Sequence, residues 1–251
     1  MFYPKIMRIK ELKYLTLLLS MLFVSPVLLS QNGADPYAIL DKVLEHQEGI
    51  KEYKVTVEID VDVDFIKMPV KTAELYFKQP DKIKFKSDEF LMLPKRGLNQ
   101  SFQKILSEDY SAVLVGQELI GRDYHYIIKV IPLGSNQDVV LSTVWVDSTD
   151  YLISRMESHT KSTGTSLIRF EYYEDLKLPS KMTVEFEVKE FNIPLDFINR
   201  TIEIDREKMK SDSLKTGYIY LRFYDYELNR AIDDSLFEEE LYTEALDSIW
   251  S

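Results

Sequence analysis

Residues 54–65 read KVTVEIDVDVDF, and the reading of this stretch decides the fold. Val55, Val57, Ile59, Val61, Val63 and Phe65 alternate with Lys54, Thr56, Glu58, Asp60, Asp62 and Asp64. Strict alternation with mostly β-branched residues on the apolar side means a β-strand with one buried face and one wet face. At about 3.3 Å per residue the run spans roughly 40 Å, about twice the usual strand, so it belongs to a large, bent sheet. Burying its apolar side chains does not by itself offset the entropy lost in fixing the backbone. Something large must cover the apolar face.

The first 30 residues read as a secretory signal peptide. Lys5, Arg8, Lys10 and Lys13 form a basic start and Leu15 to Leu29 an apolar run, with polar Ser30-Gln31-Asn32 after it. The apolar core is shorter than the span of about 20 residues that a membrane helix needs, and Pro26 interrupts it near its end. Cleavage is expected near Ser30, leaving residues 31–251 as one domain. Without the four basic residues and Glu11 of the leader, the chain carries 27 basic against 41 acidic residues, a net charge of −14. That balance argues against nucleic acid and against electrostatic docking on anionic lipid. Cysteine is absent, which removes disulfides, thiolate catalysis, cysteine-ligated metal and the lipid-bearing cysteine of a bacterial lipoprotein. The expected setting is a Gram-negative periplasm, with the chain free of any lipid anchor.

Beyond the leader the chain opens with a helix. Asp35 caps it, Pro36 fits its first turn, Tyr37, Ile39, Leu40, Val43 and Leu44 make its apolar stripe, and Gly49 ends it. The alternating strand follows. Ala73, Leu75 and Phe77 form the next, and after the turn at Gln79-Pro80-Asp81-Lys82 come Ile83 and Phe85. These signals predict a meander in which each strand pairs with the last. Between Leu91 and Leu106, Pro94 and Gly97 break the pattern; Leu98, Phe102, Ile105 and Leu106 then recur at helical spacing behind Asn99. Strands are expected again at Ala112 to Gln117, around Gly121, at Tyr124 to Ile131, Val139 to Val146, Tyr151 to Ser158, Ser166 to Tyr173, Lys181 to Lys189, Phe197 to Ile204 and Gly217 to Tyr226. In the last, GYIYLRFYDY, simple alternation puts Tyr218, Tyr220, Tyr224 and Tyr226 on one face and Ile219, Leu221 and Phe223 on the other, so both faces are expected to be covered. Ser235 and Glu238 make a capping-box pattern for a final helix carrying Phe237, Leu241, Ala245 and Ile249. The fold class is mainly β: a curved antiparallel sheet of about ten or eleven strands, with covering helices.

Several stretches taken together resemble a known family. DPYAILDKVLEHQEGIKEYKVTVEI, GRDYHYIIKVIP, VWVDSTDYLISRMES with TSLIRFEYYED after it, KLPSKMTVEF and the terminal YDYELNRAIDDSLF are similar, in order and spacing, to the outer-membrane lipoprotein carriers, LolA and its relatives. The resemblance spans Ala34 to Phe237. It implies a half-open, unclosed β-barrel of the kind LolA and LppX share, whose concave side holds acyl chains. It also implies a monomeric carrier of acylated lipoproteins or a similar lipid, with transient export partners at the inner and outer membranes. Phe191 to Thr216 looks like an elaboration on that pattern. The expected cavity residues are Val57, Ile59, Val61, Leu75, Phe77, Phe85, Ile219, Leu221 and Phe223, and the expected lid is Leu98, Phe102 and Leu106. Replacing Phe77 and Leu221 together by Asp is expected to abolish lipid binding with the sheet still folded.

No cofactor, metal or covalent chemistry is expected. Glu58, Asp60, Asp62 and Asp64 lie about 7 Å apart along a strand, unlike a calcium loop whose ligands converge through a turn, and read as a solvated face. His46, His125 and His159 lack zinc spacing, Gly164-Thr165-Ser166 is no nucleophile elbow, and pairs such as Glu185 with Glu187 arise readily in a chain with 42 acids. The rival readings are an envelope sensor on the same fold, which would hold a stable protein partner, and a β-rich hydrolase, which would show a polar cleft.

Overall fold

The alternating stretch forms the third of ten strands in a wide sheet. A computed structural model describes residues 33–80, 82–87, 105–106, 109–134, 138–161, 164–188, 203–209 and 215–238. Helix α1 (Pro36–Glu48) leads into β1 (Glu52–Asp62), β2 (Ile66–Lys67), β3 (Lys71–Lys78) and β4 (Lys82–Lys86). Then come β5 (Tyr110–Ile120), β6 (Asp123–Pro132), β7 (Val139–Asp147), β8 (Ile153–Thr160), β9 (Gly164–Tyr172) and β10 (Pro179–Val188). Short β11 (Glu203–Ile204) and α2 (Arg206–Met209) precede β12 (Lys215–Leu228) and α3 (Ser235–Glu238).

Ten strands form one antiparallel sheet in the order β4-β3-β1-β12-β10-β9-β8-β7-β6-β5, and β2 pairs with β11 in a separate ribbon. The edges β4 and β5 do not meet, so the barrel is unclosed. Edge β4 reads Lys-Ile-Lys-Phe-Lys, and lysines on an edge strand discourage pairing with another chain. The simple meander expected from sequence holds on each side of the sheet but not at its middle. There β1 pairs with β12, placing Val57 opposite Phe223, Ile59 opposite Leu221 and Val61 opposite Ile219. Both edges of β1 need partners, and the 14-residue β12 is the strand long enough to satisfy the second.

The apolar alternation of residues 54–65 outlasts the strand itself. Pairing ends at Asp62, and Ile66 donates its N–H to the Val63 carbonyl at 2.8 Å, closing a turn. Val63 and Phe65 remain buried all the same, because the turn continues to present alternate side chains to the core. The elaboration after β10 is described only at Glu203–Met209, where β11 lies against β2 and Asp205 caps α2 by accepting the N–H groups of Glu207 and Lys208 at 3.1 Å.

Helix α1 starts as its sequence requires, with Asp35 Oδ1 accepting the Tyr37 N–H at 3.0 Å. Ile39, Leu40 and Val43 are buried on the sheet. Tyr37, expected in that stripe, is exposed instead: its ring stacks on Tyr110 at 5.7 Å, and its hydroxyl accepts the Ala112 N–H at 3.2 Å on edge strand β5. At the other end of the domain the Glu238 side chain of the expected capping box lies outside the described residues. Asp233 Oδ1 accepts the Ser235 N–H at 2.9 Å, while Asp234 pairs with Lys78 and Lys82. Leu241, Ala245 and Ile249 lie outside the described residues.

Gly217 sits where β12 leaves no room for a side chain. A Cβ there would sit 2.6 Å from Phe186 Cζ and 2.9 Å from Val63 Cγ2. Gly217→Val is therefore expected to destabilise the domain by about 1–3 kcal/mol through overpacking, read as a lower midpoint in urea unfolding. An unchanged midpoint would show that Phe186 turns aside freely.

Candidate functional site: the concave face of the sheet

Cross-strand register builds one continuous apolar surface. Leu114, Ile128, Val144, Met156, Ile168, Val184, Ile219 and Val61 stand directly opposite one another across eight neighbouring strands. Beside that row run Phe170, Met182, Leu221 and Ile59. Tyr53 lies opposite Phe77 and Phe77 opposite Ile83, while Val55 meets Leu75 and Leu75 meets Phe85. All nine residues expected from sequence to line a cavity therefore share this face.

Their exposure divides them. Val57, Ile59, Val61, Leu75, Ile219, Leu221 and Phe223 are 0–7% accessible. Phe77 and Phe85 are half-buried, as are Tyr53, Ile83, Phe170, Met182 and Tyr226 around them. The first group is the closed floor; the second, large and mostly aromatic, keeps accessible surface at the end of the sheet formed by β3, β4 and the start of β1. Leu106 of the expected lid is buried together with Ile105 in the same core, while Leu98 and Phe102 lie outside the described residues. Because Leu221 is fully buried, its replacement by Asp tests the fold before it tests binding, contrary to the expectation from sequence.

Tyr226 reaches this face through a β-bulge. Thr56 pairs with Tyr224 and Lys54 with Glu227, so β12 carries one residue more than β1 over that interval. Asp225 takes up the excess with φ 58°, a conformation that Asp tolerates better than most side chains. The face of β12 inverts there, and Tyr226 leaves the stripe of Tyr218, Tyr220 and Tyr224 to meet Tyr53 edge-on at 5.5 Å. Simple alternation had placed all four tyrosines together.

The tyrosines at this end treat their hydroxyls differently. Tyr172 donates to the Ile153 carbonyl, Tyr173 to that of Phe223 and Tyr226 to that of Pro179, each at 2.7 Å. Tyr53 stacks on Phe77 at 5.0 Å, and its hydroxyl has no hydrogen-bond partner among the described residues. Burial pushes the phenols of Tyr53, Tyr172 and Tyr226 well above the usual tyrosine range. All three stay neutral, and of them Tyr172 and Tyr226 use the proton in the bonds just described.

Farther along, the concave face carries a row of smaller groups, Ala112, Ser142, Ser158 and Ser166, in which Ser142 and Ser158 share an Oγ···Oγ hydrogen bond of 3.0 Å. Helix α1 reaches Ala112 of this row through the Tyr37 hydroxyl, while its Lys42 Nζ donates to the Tyr151 hydroxyl, in the turn after β7 at the other end of that strand, at 3.0 Å and sits 4.2 Å over its ring. Tyr53, Phe170, Met182 and Tyr226 were not singled out from sequence. The first three continue the period-2 pattern of their strands and were legible; Tyr226 depends on the bulge and was not.

The opposite, convex face carries the charge. Glu58 pairs with Arg222, Lys54 with Glu74, Arg169 with Glu185 at 3.0 Å and Lys181 with Glu171 at 3.0 Å. Tyr218 and Tyr220 stack beside the acids of β1 at 6.2 Å, and Tyr224 and Arg222 are exposed, so the expectation that both faces of β12 are covered fails there. His125 is buried, with Nδ1 3.0 Å from the Asp123 carbonyl; His159 lies 3.0 Å from both Thr165 and Glu157, and His46 is exposed. Among the described residues no three acids or histidines converge on a point.

No protein-family model matches the chain, and no curated protein matches it in sequence. Among solved structures it is similar to a LolA superfamily protein from Nitrosomonas europaea, at TM-score 0.50 and 13% identity over 82% of this chain and 98% of that chain. A DUF1329 family protein from Desulfovibrio piger (TM-score 0.49, 13% identity, 84% of this chain and 99% of that one) also aligns. So does a putative outer membrane lipoprotein-sorting protein domain from Vibrio parahaemolyticus (TM-score 0.49, 12% identity, 83% and 97%). The first of these likenesses shows the fold, an open half-barrel like that of this LolA superfamily protein.

Proposed function

We propose that the protein is a periplasmic carrier that binds the acyl chains of lipoproteins, or of a similar lipid, on the concave face of its half-barrel and carries out no covalent chemistry. The observation that carries this reading is the half-buried aromatic end of that face, where Tyr53, Phe77, Phe85, Phe170, Met182 and Tyr226 keep accessible apolar surface behind a sealed core. At about 0.8 kcal/mol per buried CH₂, a long acyl chain in water is held out of its preferred surroundings by on the order of 10 kcal/mol. A curved sheet with large, flat, adjustable side chains supplies that shelter without demanding one geometry. Export through the signal at residues 1–30, a monomeric state, and hand-over between inner- and outer-membrane partners complete the proposal.

Mass spectrometry of small molecules released from protein purified out of its own envelope tests it. The expected result is one dominant acylated species in near-stoichiometric amount. Protein recovered free of lipid, which also fails to bind a fluorescent fatty-acid analogue, would end the carrier reading.

A further inference from the structure

Four tyrosines crowd the aromatic end of the concave face, and three of them are tied down. Tyr172, Tyr173 and Tyr226 each spend the hydroxyl proton on a main-chain carbonyl 2.7 Å away. Such bonds hold the rings as fixed walls and leave no donor to spare. Tyr53 differs. Its ring is clamped by Phe77 at 5.0 Å and Tyr226 at 5.5 Å, its residue keeps accessible surface, and its hydroxyl has no partner among the described residues. A half-buried phenol among aromatic rings and without an acceptor is disfavoured. Phenylalanine would fill the same place between two aromatic rings with no such penalty, so packing alone does not account for the hydroxyl.

A lipid's polar link supplies what is missing. Where an acyl chain joins its headgroup or protein there is an ester or amide carbonyl, an acceptor with no proton of its own. An aromatic surface with one donor unpartnered among the described residues fits that chemistry: the chain lies on the rings and the carbonyl oxygen accepts the hydrogen bond. We infer that Tyr53 is a specificity-determining residue whose hydroxyl donates to the ester or amide carbonyl of the bound acyl group. The inference rests on the carrier reading above and adds to it that cargo is recognised as an acyl group, not simply as hydrocarbon. The position of Tyr53 on β1, locked by β3 on one side and β12 on the other, means the donor is held in place before cargo arrives, which limits the entropy lost on binding.

The test uses two probes that differ by one carbonyl: 1-monopalmitoylglycerol, an ester, and 1-O-hexadecylglycerol, its ether counterpart. Each displaces a fluorescent fatty-acid analogue from the full mature chain. Wild-type protein is expected to bind the ester about three- to tenfold more tightly, the range of one neutral hydrogen bond. Tyr53→Phe should bring the ester down to the ether's affinity and leave the ether unchanged, with a melting temperature equal to or above wild type. Tyr76→Phe, which removes a hydroxyl bonded to Glu74 on the opposite face of β3, should keep the ester preference. Equal binding of the two probes by wild-type protein, or an ester preference that survives in Tyr53→Phe, would overturn the assignment while leaving the carrier reading intact. Wild-type protein that binds neither probe would bring down the carrier reading itself.

Discussion

Leu221→Asp is expected to unfold the sheet. Leu221 is fully buried in the middle of β12, with Ile59 of β1 opposite on one side and Met182 of β10 on the other. Truncating such a side chain to alanine costs about 2–5 kcal/mol, from lost transfer energy and the cavity left behind. Aspartate adds the penalty of a carboxylate in apolar surroundings, either ionised without a partner or protonated at neutral pH, and each costs several kcal/mol more. Against a total stability of about 5–15 kcal/mol for an ordinary domain, the sum leaves little native protein. Circular dichroism and urea titration should show Leu221→Ala folded with a lowered midpoint and Leu221→Asp largely unfolded at 25 °C. A folded Leu221→Asp variant would mean that the floor of the half-barrel is open to water, and the division between sealed floor and accessible trough would have to be redrawn.

What could be read in the sequence follows from how local each signal is. The face assignment of β1 needed only period-2 alternation, and every odd residue from Val55 to Phe65 is buried. The cap at Asp35 needed three neighbouring residues, and it forms. The pairing of β1 with β12 joins Val57 to Phe223, far apart in the chain, and no short-range pattern marks such a partner. The bulge at Asp225 is subtler. Alternation in GYIYLRFYDY reads correctly up to Tyr224, and the positive φ that inverts the face depends on pairing with β1, which the strand's own residues do not announce. For the same reason the nine expected cavity residues share one face of the sheet while their depth was illegible: burial depends on what lies over a strand, and alternation reports only which side is covered.

Phe77→Asp combined with Phe85→Asp is the substitution pair that should separate binding from folding. Both residues are half-buried, on β3 and on edge strand β4, and both belong to the aromatic end of the concave face. As free protein the variant can keep its new carboxylates hydrated, so the structural loss is confined to contacts such as the Tyr53–Phe77 stack, worth about 0.5–1.5 kcal/mol. Cargo changes the balance, because an acyl chain in the trough would strip water from two charges with no cation supplied in return, at several kcal/mol for each. Lipid carried through purification should fall by at least about a hundredfold, since each 1.4 kcal/mol is a factor of ten in affinity. Far-ultraviolet circular dichroism should stay that of the native sheet, and the melting temperature should drop by no more than about ten degrees. The apolar control Phe77→Leu with Phe85→Leu keeps the surface greasy and should retain cargo. A double aspartate variant that still carries its lipid would place the acyl chain elsewhere on the molecule and remove the aromatic end from the site.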